Sequence, residues 1–268
     1  MGFFGRKRAP SVPHPRKEPR FDGPLTLERL EQIFQDCVDF TKRPVSLGEG
    51  GACTLTLCYL SGMVKMERVS DYVLRPLAQD EALARCGTPR QAMDRMKDGA
   101  LYNLSAEERT RLDAAVFDLV NGCCLLLFPW ESSVLSLNVG TEEKRSISSP
   151  SNETVLKGSR DAFVESLRTN TSIVRRHLKA PELRIREQVV GRQSVTSVDI
   201  LYIEGLTNPH LVEQVAAQLA DIDIDAVLTT GNIEEYIVPA ARTAFPLVQY
   251  TERSDRFCAG LAEGRVGI

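Results

Sequence analysis

Residues 182–203 read ELRIREQVVGRQSVTSVDILYI, two runs of alternating apolar and polar residues on either side of the four-residue turn Gly191–Ser194. Alternation at a period of two marks a half-buried strand, and two such runs joined by a short glycine-containing turn make a hairpin. Gly191 and Ser194 are expected there as turn-makers, with no phosphate-binding role. The chain continues as EGLTNPHLVEQVAAQLADIDID. Asn208 can cap a helix in this stretch, Pro209 suits its first position, and Leu211, Val212, Val215 and Leu219 form one apolar face. A hairpin feeding a helix at once places a small α/β domain around residues 182–225.

On either side of this centre, the pattern predicts a helix from about Ser159 to His177, with Phe163, Leu167, Ile173 and Val174 facing inward. A short strand at Ala226–Thr229, a helix at Gly231–Val238, a strand at Leu247–Tyr250 and a last helix at Ser254–Ala262 should follow. Toward the N-terminus, Leu27, Leu30, Phe34 and Val38 recur near the helical period, which predicts a helix over Leu27–Phe40 with Thr26 as its N-cap. Lys42–Gly51 reads as a loop, Cys53–Leu60 as a buried strand, and Val69, Tyr72, Val73 and Leu77 as a helix face. Pro89–Lys97 is expected to be helical and Leu101–Asn103 a short strand. Ser105-Ala-Glu-Glu108 has the capping-box spacing and should open the helix that carries Leu112, Ala115, Val116 and Leu119. Asn121-Gly122 should stop that helix in a left-handed turn, ahead of strands at Cys123–Phe128 and Val134–Val139.

The fold class expected is therefore α/β: two small α/β subdomains with mixed sheets and right-handed crossovers, joined by a polar linker. Their bounds are a disordered, basic, Pro-rich tail at 1–24, an N-terminal subdomain at 25–140, a Ser-rich linker at 141–152 and a second subdomain at 153–268.

At 268 residues, 43% of them hydrophobic, the chain is long and apolar enough for two ordinary cores, which excludes a disordered or fibrous class. A net charge of -3 gives no reason to expect a nucleic-acid partner. The first 20 residues nonetheless hold Arg6, Lys7, Arg8, Arg16, Lys17 and Arg20 against Glu18 alone, interleaved with Pro10, Pro13, Pro15 and Pro19. Such a tail either solubilises the chain or is drawn to an anionic membrane surface. The longest apolar stretch, Cys123–Trp130, falls well short of the ~18 residues a spanning helix needs, and no signal peptide is evident.

Seven scattered cysteines are an odd number set mostly in apolar surroundings, which is reduced usage. His14, His177 and His210 stand alone, with no CxxC or HxxxH spacing, so no metal is expected. Asp221-Ile-Asp-Ile-Asp225 imitates the start of a calcium loop, yet Ala226 replaces the required glycine and Asn232 the bidentate glutamate. Gly48-Glu-Gly-Gly51 precedes a strand and cannot put helix amides around a phosphate. Neither a nucleophile motif nor a cofactor loop occurs, so the sequence points to no catalytic residue, no cofactor and no enzyme.

Charges beside the apolar runs of the second half are the remaining signal. Arg175, Arg176, Arg184, Arg186 and Arg192 cluster around its first helix and hairpin, and Thr251-Glu252-Arg253 precedes its last helix. They are either solvated faces or an interface for other subunits, since the planar fork of Arg suits carboxylate pairing. As an interface, the set is Arg175, Arg176, Arg192, Thr251, Glu252 and Arg253.

The stretches GSRDAFVESLRTNTSIVRRHLKAPELRIREQVVGRQSVTSVDILYIEGLTNPHLVEQV (158–215), LADIDIDAVLTTGNIEEYI (219–237) and FPLVQYTERSDRFCAGLAEGRVGI (245–268) resemble the A-subunit family of spore germination receptors, the GerA family. LSGMVKMERVSDYVLRPL at 60–77 extends the likeness into the first half. Ser254 departs from the family, which usually has proline after Thr-Glu-Arg. The resemblance implies a receptor region of two α/β subdomains on the cytoplasmic or spore-core side of the spore inner membrane, ahead of a bundle of membrane helices that would begin near Ile268. It implies B and C subunits as partners, a homo-oligomer through the A subunit, and a nutrient germinant as the stimulus. A related branch acts in stage V sporulation without sensing nutrients. Two further expectations follow: the halves move about the 141–152 linker, or a small molecule binds between them.

Overall fold

Alternation along three strands explains how the first half folds. In the computed structural model of the chain, β2 (Cys53–Leu60) sends Leu55, Leu57 and Tyr59 to one face of a sheet and Cys58 and Leu60 to the other. β4 (Cys123–Leu127) and β5 (Val134–Asn138) divide in the same way: Cys124, Leu126, Leu135 and Leu137 point one way, and Leu125, Leu127 and Val134 the other. Both faces are covered, so these central strands read as nearly continuous apolar runs. The structure describes residues 20–47, 53–101, 105–129, 131–140, 161–227, 229–238 and 247–268.

The sheet has five strands in the order β1-β2-β4-β5-β3, where β1 is Phe40–Leu47 and β3 is Ala106–Arg109. One face packs against a helical run formed by α2 (Met66–Val69), a π-helical turn (Ser70–Leu74), α3 (Arg75–Gln79), α4 (Glu81–Ala84) and α5 (Pro89–Arg95). The other face packs against α1 (Leu27–Ile33) and α6 (Leu112–Val120). Thr26 caps α1 by accepting from the Arg29 amide, as its position predicts.

In the second half, β6 (Leu183–Val190) and β7 (Thr196–Ile203) form the expected hairpin. Val190, Val198, Ile200 and Tyr202 pack against α8 (Pro209–Ala220) and α9 (Thr230–Ile237), while Leu183, Ile185 and Leu201 meet α7 (Leu167–His177) and α10 (Ser254–Ala262). Gly191 has φ +88, and a Cβ there would lie 2.3 Å from Ser194 Oγ. Ser194 is a turn-maker as expected: its amide donates to Asp225 O at 3.2 Å, and its hydroxyl accepts from the Val227 amide at 3.0 Å. Ile222 is buried among the aspartates that imitate a calcium loop.

The α/β class holds for both halves, but every named strand pairing is antiparallel, so the parallel strands and right-handed crossovers expected from element order are not formed among the described residues. α1 ends at Ile33 instead of running to Phe40. Asp36 turns the chain with φ 58, and Phe40 returns to stack on Phe34 at 5.0 Å, so the apparent helical spacing of Val38 is coincidental. Residues 42–47 of the expected Lys42–Gly51 loop belong instead to strand β1, and residues 48–51 lie outside the described residues. β1 is an edge strand with an exposed middle, which lets it hold Pro44.

Ser105–Glu108 opens no helix. Residues 106–109 pair with β5, and Glu108 accepts hydrogen bonds from Arg90, Lys97 and Ser133, a tertiary partnership that overrides the local capping pattern. These bonds, that of Arg90 foremost, pull its pKa down to about 2. Residues 247–250 are exposed and form no strand, and Ala226 and Val227 are likewise outside any strand. The helix expected from Ser159 starts at Leu167, capped by Ser166. The expected tail to residue 19, the linker at 141–152, residues 102–103 and residue 228 lie outside the described residues. No helix of the described residues is long and apolar enough to cross a membrane.

Candidate functional site

The turn after α1 ties the two halves together. With Asp36 turned by its positive φ, Cys37 lies parallel to Ile185 of β6: the Val38 amide donates to Ile185 O at 2.9 Å and the Ile185 amide donates to Asp36 O at 3.1 Å. Asp residues tolerate this left-handed backbone better than most. Cys37 Sγ donates to Leu183 O at 3.4 Å. The edge of the hairpin is therefore extended by chain from the first half, which satisfies backbone groups on both sides.

Around this edge stand three arginines of the second half. Arg175 on α7 donates from Nε to Asp39 Oδ2 at 2.8 Å and from Nη2 to Asp39 Oδ1 at 2.9 Å. The two residues are 1% and 2% exposed. Burial by itself lowers the Arg175 pKa, but the charge and hydrogen bonds of Asp39 outweigh it and leave the pKa raised. Arg184 on β6 donates from Nη1 to Ile33 O at 2.7 Å and to Pro181 O at 2.9 Å, and its Nη2 pairs with Glu204. Ile33 is the last residue of α1, so the guanidinium serves one of that helix's orphan carbonyls and sits at the negative end of its dipole.

Arg186 bridges Asp36 at 2.9 Å and Glu213 at 2.7 Å, with its guanidinium carbon 5.4 Å from the Tyr202 ring centroid. Partial burial lowers its pKa, and its bonds to Glu213 and Asp36 more than reverse this. Packing closes the junction as well. Gly62, in the turn after β2, has φ +81, and a Cβ there would lie 2.8 Å from Ser172 Cβ on α7. Lys179 reaches across to Asn121 Oδ1 at 2.9 Å.

The six residues expected to form a subunit interface separate in space. Arg175 faces inward and spends its fork on Asp39 of the same chain, which corrects its assignment to an outward interface. Arg176 beside it is half-buried. Thr251, Glu252 and Arg253 are half-buried at the start of α10, beside α7: the Phe163 amide donates to Glu252 O at 2.9 Å, Thr251 Oγ1 accepts from the Arg253 amide at 3.1 Å, and the Arg253 side chain holds Asp255. Ser254 is fully buried: its hydroxyl donates to Asp161 O at 3.0 Å and lies 3.2 Å from His177 Nε2, contacts a proline could not make. Arg192 is elsewhere, exposed at the hairpin turn and paired with Asp223 at 2.8 Å.

Asp36, Asp39 and the carbonyl of Ile33 are the partners that sequence reasoning missed. The only sign of them was an acidic pair three residues apart in the first half, matching an arginine cluster in the second. This arrangement fixes two bodies against each other, and none of its members is a nucleophile poised beside a base. Burial pushes the Cys58 and Cys258 thiols up to about 12, which keeps them protonated and inert at neutral pH.

The chain matches the Bacillus/Clostridium GerA spore germination protein family over residues 28–268. It is 33% identical to the uncharacterized membrane protein YfkQ of Bacillus subtilis over 242 residues, covering 90% of this chain and 46% of that protein. It is 31% identical to spore germination protein KA of Bacillus subtilis over 230 residues, covering 86% of this chain and 42% of that one. The chain thus spans less than half the length of these relatives. The crystal structure of the N-terminal domain of the A subunit of the Bacillus megaterium spore germinant receptor GerK3 superposes with a TM-score of 0.68 at 26% identity, covering 90% of this chain and 87% of that one.

Proposed function

Given that the chain belongs to the GerA spore germination protein family, we propose that it acts as the N-terminal region of a germinant receptor A subunit, transmitting the germination signal as one rigid body and assembling with the B and C subunits. The observation that carries this reading is the buried Asp39–Arg175 pair, with the backbone pairing of Val38 and Ile185 beside it. A buried ion pair is a poor stabiliser but a good specifier of one alignment, because any other alignment strands a charge in the interior. A region locked in this way passes a displacement at one half to the other. The same packing favours a mechanical role over a nutrient site between the halves at this point, since the side chains there are 2% and 1% exposed.

Contacts with other subunits are assigned to the rest of that set: the exposed Arg192 and the half-buried Arg176, Thr251, Glu252 and Arg253. The membrane setting is that of the family's membrane proteins, and the basic residues 6–20 would face an anionic surface. The test is germination of spores carrying Asp39→Asn, Arg176→Glu or Glu252→Lys in the native receptor, scored beside recovery of the B and C subunits with the A subunit. The latch variant should slow germination with all three subunits still recovered, and the Arg176 and Glu252 variants should lose subunit recovery. Normal germination and recovery in all three would refute the proposal.

A further inference from the structure

Asp199 on β7 is the most exceptional group outside the junction. It is 2% exposed, and neither carboxylate oxygen has a hydrogen-bond partner among the described residues. Glu187 lies directly opposite it on β6. Arg168 on α7 stands with Nη1 3.5 Å from Asp199 Oδ2 and is also paired with Glu187. The next basic group along α7, Arg175, is spent on Asp39. Two carboxylates therefore share one guanidinium, and the cluster is one positive charge short. Burial, resisted by Arg168 and reinforced by Glu187 and Asp39, pushes the Asp199 pKa up to about 6. A buried carboxylate in this position takes up a proton or a cation.

Asp199 also lines a cavity of about 90 Å³, with Phe163, Leu167, Val174, Leu201 and Phe257 among its other walls. Phe163 and Phe257 meet edge to face with centroids 5.2 Å apart. One water needs about 10–15 Å³ of such space, so the cavity has room for a small molecule. Of its polar side chains, Asn170 has both amide ends committed to Val164, and Thr171 donates its hydroxyl proton to Arg168 O at 3.1 Å. What an occupant meets is mainly acceptors: the lone pairs of Thr171 and, once Arg168 is displaced, the Asp199 oxygens, which are closed to solvent in this structure; Asn170 keeps one spare N–H.

Acceptors and a missing positive charge at one wall, with aromatic and aliphatic carbon around the rest, define the guest. We propose that this cavity binds a small organic ammonium, a primary amine with a short alkyl body whose charged head replaces Arg168 at Asp199 and whose carbons lie against Phe163, Leu201 and Phe257. An anion is repelled by Asp199. A bare metal ion would find too few oxygens among these walls. The site lies within the second half, away from the Asp39–Arg175 latch, and its occupancy is independent of the receptor reading.

The test is an NMR titration of the whole 268-residue chain, with labelled Leu and Val methyl groups, at pH 7. The probes are n-propylammonium chloride, sodium propionate, ammonium chloride and sodium chloride at equal ionic strength. Propylammonium alone should shift the Val174 and Leu201 methyl signals to saturation. Asp199→Asn folds, since it removes a buried charge, and should weaken this binding about tenfold or more, the scale of one charge-assisted contact. Arg168→Gln removes the competing guanidinium and should tighten it. Propylammonium acting no differently from sodium chloride, equal binding in Asp199→Asn, weaker binding in Arg168→Gln, or the same saturation with ammonium chloride would each overturn the assignment.

Discussion

Asp39 and Arg175 lie 136 residues apart in the chain and meet through two hydrogen bonds of 2.8 and 2.9 Å in the interior. One Arg175 nitrogen, Nη1, is buried without a hydrogen-bond partner among the described residues. The pair is thus retained at some cost in stability, which is the behaviour of a contact that selects one arrangement of the halves over others.

Arg175→Met leaves Asp39 buried and unpaired, and should cost about 3–5 kcal/mol in urea unfolding. Asp39→Leu combined with Arg175→Met removes both charges and should recover most of that loss. If the double variant were as unstable as the single one, the loss would come from packing and not from the stranded charge.

Gly62→Ala puts a side chain at φ +81 and a Cβ 2.8 Å from Ser172 Cβ. Strain and clash together should destabilise the chain by roughly 1–3 kcal/mol, read as a lower melting temperature. Gly23→Ala, at φ +117 with nothing within 4 Å, tests the backbone part alone and should cost less.

Asp199 gives a pH dependence of defined sign. Its folded pKa, about 6, lies above the ordinary value of about 3.9, so between these values the folded state holds more protons than the unfolded one and stability falls as pH rises. Asp199→Asn lacks this slope. Its stability relative to the parent chain should climb from pH 4 to pH 6, by on the order of 2 kcal/mol, and then level off. Parallel curves for the two chains would contradict the reading.

Glu108 has the opposite sign. Its pKa is held near 2 by Arg90, Lys97 and Ser133, so its stabilising effect is complete above the ordinary glutamate value of about 4.3 and disappears as pH falls toward 2. Glu108→Gln should therefore cost about 1 kcal/mol at pH 7, the scale of a partly exposed ion-pair network, and little at pH 2 in urea titrations.

How far the sequence reaches depends on where each element's stabilising partners lie. Leu183–Val190 and Thr196–Ile203 were legible because their alternation divides the residues between two local cores, and Ser254–Ala262 and Cys53–Leu60 carry equally complete patterns. β1 escaped because an edge strand with Lys42, Arg43 and Pro44 has no continuous buried face to show. β3 escaped because Glu108 gets its partners from Arg90 on α5, Lys97 just beyond α5 and Ser133 just before β5, none of them near in sequence. The arginine cluster was visible, yet its meaning was not. Asp36 and Asp39 sit in what scans as the end of a helix, and only the return of Phe40 onto Phe34 turns them toward Arg186 and Arg175.

That the two halves form one rigid body is tested most directly by native-state hydrogen exchange at the amides of Val38 and Ile185, which bond across the junction at 2.9 and 3.1 Å. They should exchange as slowly as the core amides of Leu57 and Leu126, and Arg175→Met should speed the junction pair more than the core pair. Exchange of Val38 and Ile185 at the near-zero opening energy of a frayed segment, with the cores still protected, would mean that the halves separate freely and that the rigid-body account is wrong.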